Sequence, residues 1–280
     1  MLVRFWQIKD AVIATLALTK RDLMTLNEEE LSEIKQATDI LGVFGQVTAE
    51  ISAEKGVTIS KVLYFIKIMN RHVSSDKFSD EILKPGCKNM VYKLKQELKE
   101  RFDKYEDNEV ICQATFLDPR FKQFSFINRN KYEYTVERLR NRLQSLQSNN
   151  STIQTHATLP QPTSTDNSSA HSMIWEEFDS QVQNVTSNIN PQTSAILEID
   201  RYIKEHILQR TEDPLKWWND RQAIFPALID LVKKRLCITA TSVPCERQFS
   251  KAGLIMTDKR SRMKASKLSK VMFLQSNLPN

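Results

Sequence analysis

The stretch that decides the fold is Asp213-Pro214-Leu215-Lys216-Trp217-Trp218. An aspartate followed by a proline favours the first turn of a helix, because the aspartate can cap free N–H groups and the proline needs none. We therefore expect Trp217 and Trp218 to anchor a short helix in the hydrophobic core. The alternative interpretation is that the two tryptophans stack on a flipped or unpaired base.

Two further helices are predicted after this stretch. Residues Phe225–Leu236 are apolar enough to form a buried helix. Ser242 can cap the next helix, Pro244 is tolerated in its first turn, and Glu246 falls in that turn. A final apolar stripe in Leu268–Leu278 is large for a terminal helix, and it would pack on a partner or on the preceding apolar helix.

The residues before this block are also predicted to be mainly helical. The chain has only 5 glycines in 280 residues and few strand-like alternations. Helices are expected in residues 1–20, from Asn27 onward, from Thr58 or Ser60 to Arg71, and from Lys88 to Tyr105. The run Val110–Leu117 is a strand or a buried helix, because its periodicity does not decide between them.

Charge is unevenly distributed along the chain. The formal net charge is +6, yet the residues from Val232 onward carry eleven Lys and Arg against Glu246 and Asp258. That segment is therefore +9 and the remainder is −3. A basic tail of this kind attracts a phosphate backbone, although it is also what a solvated helix face looks like.

Cysteine usage and hydropathy limit the cellular compartments that we expect for the protein. The four cysteines contain no CxxC pair and the four histidines are not spaced to complete a zinc site with them. No apolar run reaches the roughly 18–20 residues of a membrane span. We expect a reduced protein of the cytosol or nucleus, with no membrane partner.

The polar composition divides the chain into four predicted parts. Residues 1–145 form a helical region, 146–172 are a Ser/Thr/Asn/Gln-rich disordered linker or surface insertion, and 173–195 connect to a C-terminal block at 196–280. Within the connecting segment, Met173–Phe178 is predicted to form a short helix.

The order of motifs resembles the C-terminal dimerisation region of hAT-superfamily DNA transposases and of BED-zinc-finger proteins domesticated from them. The resemblance rests on DPLKWW at 213–218, CERQFSKAG at 245–253, and the basic run that follows. The run LDPRFK at 117–122 is also similar to that family, and we interpret it as a packing and turn element. The implied fold is mainly α: a helical insertion domain followed by the C-terminal part of an incomplete RNase H-like transposase fold.

By this resemblance, Glu246 matches the third acid of the family's metal-binding triad, here vestigial. The first two acids and the BED finger are expected upstream of this chain, because nothing before residue 110 looks like the strands that carry the acids. No metal site is therefore predicted in the chain. Mg²⁺ or Mn²⁺ would serve only a complete ancestral enzyme, since one carboxylate cannot hold two metals. The structural alternative is that Glu246 stabilises its helix dipole or pairs with Arg247 or Lys251.

The resemblance also implies an assembly surface and a DNA contact. The residues predicted for dimerisation or the core are Trp217, Trp218, Phe225, Leu228, Leu231, Phe249, Leu268 and Met272. Those predicted to contact DNA are Arg247, Lys259, Arg260, Arg262 and Lys264.

Three functions follow as hypotheses. The first is a nuclear dimerisation module without catalysis or cofactor, pairing with itself or with a related hAT-derived protein. The second is part of an active transposase, and the third is part of a BED-zinc-finger transcription regulator. The last two differ only in residues upstream of this chain.

Overall fold

The described part of the chain is mainly helical. A computed structural model describes residues 2–18, 26–151, 191–256 and 263–278, and no strand occurs among them. The expectation of a mainly α fold is confirmed for these residues. The RNase H-like part of the expectation stays a prediction.

Eleven α-helices occur in the described ranges. The first six, which precede residue 152, are α1 (Leu2–Leu18), α2 (Glu28–Ile51), α3 (Val62–Val73), α4 (Pro85–Phe102), α5 (Glu109–Leu117) and α6 (Arg129–Ser151). The other five are α7 (Pro191–Lys204), α8 (Pro214–Asp220), α9 (Pro226–Leu236), α10 (Val243–Ile255) and α11 (Ala265–Asn277).

Local sequence signals set several of the helix starts. Asn27 begins α2 with a capping box: its side chain accepts from the Glu30 N–H at 2.7 Å, and the Glu30 carboxylate accepts from the Asn27 N–H at 2.9 Å. Asn108 caps α5 through the N–H groups of Val110 and Ile111. The prediction of a helix beginning at Asn27 is confirmed.

Helix α5 is the centre of the core. Every residue of Ile111–Leu117 is buried, and α5 packs against α3, α6 and α9. The open alternative for Val110–Leu117 is thus resolved in favour of a helix. Its sequence shows no alternation of polar and apolar positions because protein surrounds it on all sides.

A single hydrophobic core joins the residues on both sides of the predicted linker. Its buried members include Leu63, Phe116 and Leu139 from the first half, and Tyr202 and Trp218 from the second. Helix α7 packs along α6, which aligns the C-terminal block with the helical region.

The predicted linker overlaps a helix at its start. The backbone of α6 is helical through Ser151, and the remainder of 146–172 lies outside the described residues. The short helix predicted for Met173–Phe178 also lies outside them. The described portion holds no helix that is long and apolar enough to cross a membrane.

The last two helices differ from the rest of the fold. Neither α10 nor α11 contains a buried residue, and each makes its main helical contact with the other. They form a helical hairpin on the surface of the body, and we call this pair the α10–α11 hairpin.

Candidate assembly surface and the Glu246 position

The start of α10 places Glu246 on the surface. Ser242 stands at the cap position, but its side chain makes no capping bond to a backbone N–H. Its hydroxyl instead donates to Glu246 Oε1 at 2.7 Å. The predicted cap position is confirmed, whereas the predicted capping bond is replaced by a bond to the carboxylate one turn ahead.

Glu246 is exposed and lies in the first turn of α10. A carboxylate there interacts favourably with the positive end of the helix dipole. Across the described ranges, no group of three or more His, Cys, Asp or Glu side chains is close enough to hold a metal ion. The geometry around Glu246 therefore supports a role at the helix start and offers no companion ligands among these residues.

Asp118, the acid of the LDPRFK run, has a structural role. It is fully buried, and it accepts from Ser60 Oγ at 2.6 Å and from Arg120 Nε and Nη2 at 2.9 and 2.7 Å. The Arg120 backbone N–H also donates to it at 3.0 Å. A buried carboxylate with all these partners fixes the turn after α5, as expected for a packing and turn element.

The α10–α11 hairpin carries a groove between its two helices. The groove has a volume of about 450 Å³ and is lined on one side by Phe249 and Ala252, and on the other by Leu268, Met272 and Phe273. Phe249 is 77% exposed and Phe273 is 67% exposed. Large apolar side chains with this exposure, grouped on one element, mark an interaction surface.

The outer sides of the hairpin are apolar as well. Leu254 on α10 is 77% exposed, and Leu274 and Leu278 at the end of α11 are also exposed. The hairpin therefore exposes apolar side chains in more than one direction, and its remaining apolar side chains, such as Leu268 and Met272, are at most half-buried.

Polar contacts attach the hairpin to the body. Lys251 Nζ forms an exposed ion pair with Glu54 Oε1 at 3.0 Å. Just before the hairpin, the Ala240 N–H donates to Thr58 Oγ1 at 3.1 Å. An exposed ion pair contributes little stability, so these contacts orient the hairpin more than they hold it.

The tandem tryptophans lie inside the body of one chain. Trp218 is 1% exposed and its indole Nε1 donates to the Leu117 carbonyl at 2.8 Å. Trp217 packs edge to face on Trp218, with ring centroids 5.0 Å apart, and stacks on Phe225 at 6.0 Å. Burial leaves neither indole face open to a nucleic-acid base.

Leu228 and Leu231, the remaining predicted residues of α9, are also buried in this core. The eight residues predicted for dimerisation or the core thus separate in space. Trp217, Trp218, Phe225, Leu228 and Leu231 lie in the body, while Phe249, Leu268 and Met272 lie on the hairpin.

A buried carboxylate connects α7 to α9. Glu198 accepts from the N–H groups of Leu228 at 2.8 Å and Ala227 at 3.1 Å. These are free donors in the first turn of α9, whose own preceding residue, Phe225, has no capping oxygen. Burial raises the pKa of the Glu198 carboxyl, and the two N–H donors oppose that shift.

A buried lysine joins the LDPRFK turn to α7. Lys122 has a positive φ of 43° and is 4% exposed. Its Nζ donates to the backbone carbonyls of Tyr202 at 2.7 Å and Glu205 at 2.5 Å, at the C-terminal end of α7. Burial lowers the pKa of the Lys122 amine to about 8. The bonding roles of Glu198 and Lys122 were missed from the sequence, because their partners lie 29 or more residues away.

The predicted DNA-contacting residues are only partly within the described residues. Arg247 is half-buried in the first half of α10, and Lys264 is exposed just before α11. Lys259, Arg260 and Arg262 lie outside the described residues.

The motifs and the helical order define a class of protein domain. Residues 198–278 match the model of the hAT family C-terminal dimerisation region. This match begins at the carboxylate that caps α9 and ends one residue beyond α11, so it covers both the tryptophan core and the hairpin. The resemblance indicated by DPLKWW and CERQFSKAG is confirmed.

Curated relatives extend the similarity beyond that region. The chain is 24% identical over 259 residues to the human protein "Zinc finger BED domain-containing protein 4", covering 92% of this chain and 21% of the relative. It is 26% identical over 187 residues to the "Putative AC transposase" of Zea mays, covering 63% of this chain and 23% of the relative. The "Putative AC9 transposase" of Zea mays matches at the same identity. The chain therefore spans about a fifth of the length of these relatives.

Proposed function

We propose that this chain contains a transposase-derived dimerisation module. The α10–α11 hairpin of one copy packs against the same hairpin of another copy. The observation that carries the proposal is that, among the described residues, neither helix of the hairpin contains a buried one. The partner is a second copy of the chain or a related hAT-derived protein. This assignment is supported by the match to the hAT dimerisation region, which includes both helices.

The energetics of the hairpin favour a partner. Helices of 13 residues, the length of α10 and of α11, are marginal in water without tertiary packing. Burying a large apolar side chain contributes about 1.5–3 kcal/mol. Covering the largely exposed Phe249 and Phe273 and the exposed parts of the half-buried Leu268 and Met272 in each of two copies would therefore offset part of the cost of association.

In this dimer the assembly surface lies on the hairpin, and Trp217 and Trp218 have a structural role within each copy. The tryptophans stabilise the body that presents the hairpin, because their side chains are already covered within one chain. Two copies that associated through the tryptophans would first have to open that core.

Sedimentation velocity across micromolar concentrations tests the association. We expect the chain to sediment as a dimer, and Phe249→Glu combined with Leu268→Glu to give a monomer of unchanged helicity. Phe124→Glu is the matched control, since Phe124 is also exposed but lies on the body far along the sequence from the hairpin. A monomeric wild type, or a dimer that the double substitution leaves intact, would contradict the proposal.

We further propose that the chain by itself has no catalytic activity and acts in the nucleus. One exposed carboxylate at Glu246 cannot arrange two divalent cations for phosphoryl transfer. The chain should therefore not cleave DNA in the presence of Mn²⁺. Cleavage that Glu246→Gln abolishes would show that the chain does assemble an active site.

A salt-dependent contact between the basic C-terminal block and DNA completes the proposal. Arg247 and Lys264 are the described residues assigned to it, with Lys259, Arg260 and Arg262 between them in sequence. Each phosphate contact removed should reduce the slope of log affinity against log salt by about 0.9. If wild type and a Lys264→Ala variant show the same slope of log affinity against log salt, Lys264 does not contact DNA.

In two alternative functions, the same module is part of a longer protein. The similarity to the Zea mays transposases supports part of an active transposase, and that to the human BED protein supports part of a BED-type regulator. Sequencing the upstream part of the transcript separates them: two acids in strand context favour the first, and a BED finger without them favours the second.

A further inference from the structure

A cleft on the body, remote in sequence from the hairpin, has a lining that fits a particular ligand chemistry. It lies between α2 and α3, beside the LDPRFK turn, and has a volume of about 750 Å³. Its apolar walls are formed by Val43 and Val47 of α2 and by Phe65 and Ile68 of α3. All four side chains are half-buried, so the cleft leaves apolar surface in contact with solvent.

An aromatic platform stands in the same cleft. The rings of Tyr64 and Phe121 are stacked, with centroids 5.6 Å apart and planes 27° from parallel. Tyr64 is 36% exposed, which leaves part of this platform open. A second aromatic side chain can pack on such a platform by offset stacking or edge to face.

The polar lining is mainly cationic. Lys61, Arg120 and Arg210 line the cleft together with a single carboxylate, Glu50. Lys61 pairs with Glu50 at 2.8 Å, and Arg120 pairs with the buried Asp118. The pKa of Glu50 is lowered first by the hydrogen bond from Lys61 and then by its charge, with smaller contributions from Arg210 and Arg120. With both ion pairs counted, Lys61, Arg120 and Arg210 against Glu50 and Asp118 leave a net charge of +1. The cleft therefore favours an apolar ligand that carries negative charge.

The part of the chain outside the described ranges contains one segment with that chemistry. Residues 152–190 hold four acids and no Lys or Arg, and three of the acids are in Ile174-Trp175-Glu176-Glu177-Phe178-Asp179. In the helix predicted from the sequence here, Trp175 and Phe178 would lie one turn apart on the same side. The segment thus combines two large aromatic side chains with a charge of −3.

The segment can also reach the cleft. Twelve residues lie between Phe178 and the start of α7 at Pro191, and 23 lie between Trp175 and the end of α6 at Ser151. An extended chain spans about 3.4 Å per residue, so the shorter connection covers about 40 Å. That is close to the roughly 45 Å diameter of a body of this size.

We propose that the acidic aromatic segment 174–179 docks in the α2–α3 cleft of its own chain, with Trp175 and Phe178 against the apolar wall and the Tyr64–Phe121 platform. Glu176, Glu177 and Asp179 then face the cationic side at Lys61, Arg120 and Arg210. Intramolecular docking needs only modest intrinsic affinity, because a tether of this length gives an effective concentration of about 1 mM.

A peptide in trans tests the docking. The probe is a labelled synthetic peptide of residues 170–184, and the host is the full chain with Trp175→Ala and Phe178→Ala, so that its own segment no longer competes. We expect saturable binding below 1 mM by fluorescence anisotropy. A peptide carrying the same two alanine substitutions should bind at least tenfold more weakly.

Charge reversal locates the binding surface. Arg210→Glu in the host should weaken peptide binding about tenfold, while Lys95→Glu, the same change on the exposed face of α4, should leave it unchanged. Peptide binding that instead responds to Lys267→Glu and Lys270→Glu on α11 would assign the segment to the basic tail and overturn the proposal. Absence of binding at 1 mM would overturn it as well.

A measurement in the intact chain does not depend on the peptide. Acrylamide quenching reports how accessible the Trp175 indole is, and subtracting the signal of a Trp175→Phe variant isolates the fluorescence of Trp175. We expect a shielded indole in the wild type and an accessible one when Arg210→Glu is introduced. Circular dichroism of each variant checks that the helical body is retained. A fully accessible Trp175 in the wild type would contradict docking.

Discussion

At the scale of single residues, Trp218 shows how the DPLKWW stretch stabilises the fold. Asp213 accepts from the Leu215 N–H at 2.9 Å and Pro214 occupies the first turn of α8, which turns the two indoles into the core. The indole N–H of Trp218 then satisfies the carbonyl of Leu117 at the end of α5. One side chain thus supplies apolar area and a hydrogen bond to the central helix.

Trp218→Phe should destabilise the protein substantially. The change leaves the buried Leu117 carbonyl without its donor and removes part of the ring, so we expect a loss of about 2–4 kcal/mol in the free energy of unfolding. Chemical denaturation followed by circular dichroism measures this loss. Trp6→Phe is the control, because Trp6 is only half-buried on α1, and it should cost less than about 1 kcal/mol. Equal losses for both would show that the hydrogen bond to α5 is unimportant.

Lys122 gives a pH dependence whose sign is fixed by its pKa. The pKa is about 8 in the folded chain, against 10.5 for an ordinary lysine, so between these values the unfolded chain binds more protons. The free energy of unfolding should therefore rise with pH over this window, by at most about 3 kcal/mol from this group. Well below pH 8 both states carry the charge and the contribution is constant.

Comparison with Lys122→Met isolates that effect. The difference in unfolding free energy between wild type and variant should increase from pH 7.5 to pH 10. The subtraction removes groups such as Cys112, whose pKa burial raises to about 11 and whose contribution has the opposite sign. A difference that stays constant with pH would mean that the Lys122 amine keeps its ordinary pKa in the fold.

At the scale of elements, the starts and ends of helices are satisfied by side chains from distant helices. Glu198 on α7 accepts from the first turn of α9, and Lys122 donates to the last carbonyls of α7. Arg235 on α9 donates to the buried amide oxygen of Gln113 on α5 at 2.7 Å. The Lys122 and Arg235 bonds fix how the C-terminal block sits on the helical region, and the Glu198 bonds fix α7 against α9. Each bond needs a specific register between the elements that it joins.

Removing the carboxylate that caps α9 should weaken this register. Glu198→Ala leaves two N–H groups near the start of α9 without an acceptor, and we expect it to cost about 2 kcal/mol of unfolding free energy. Glu198→Gln retains one acceptor oxygen and should cost less. Urea denaturation of the two variants measures the order, and an alanine variant as stable as the glutamine variant would contradict the capping role.

The sequence predicted individual elements better than the contacts between them. The helix start at Asn27 and the Asp-Pro start of α8 depend on local signals, so both could be predicted directly. Helix α5 could not be assigned, because complete burial removes the periodicity that distinguishes a helix from a strand. The separation of the predicted apolar residues into body and hairpin also depends on tertiary packing that no local pattern contains.

At the scale of the whole molecule, one core spans both sides of the predicted linker while the α10–α11 hairpin stays outside it. The body therefore packs around its own core without the hairpin, and the hairpin is left with exposed apolar side chains. Completion of the hairpin by a second copy is the central claim, and it connects the packing of the chain to its assembly.

Amide hydrogen exchange measured as a function of protein concentration tests this claim most directly. In the monomer the backbone of Val243–Ile255 and Ala265–Asn277 should exchange quickly, since neither helix has a buried residue in the part of the chain that the structure describes. Protection of these two helices should rise with concentration through the range in which dimers form, whereas protection of α5 and α8 stays constant. Exchange in the hairpin that is independent of concentration would contradict the account.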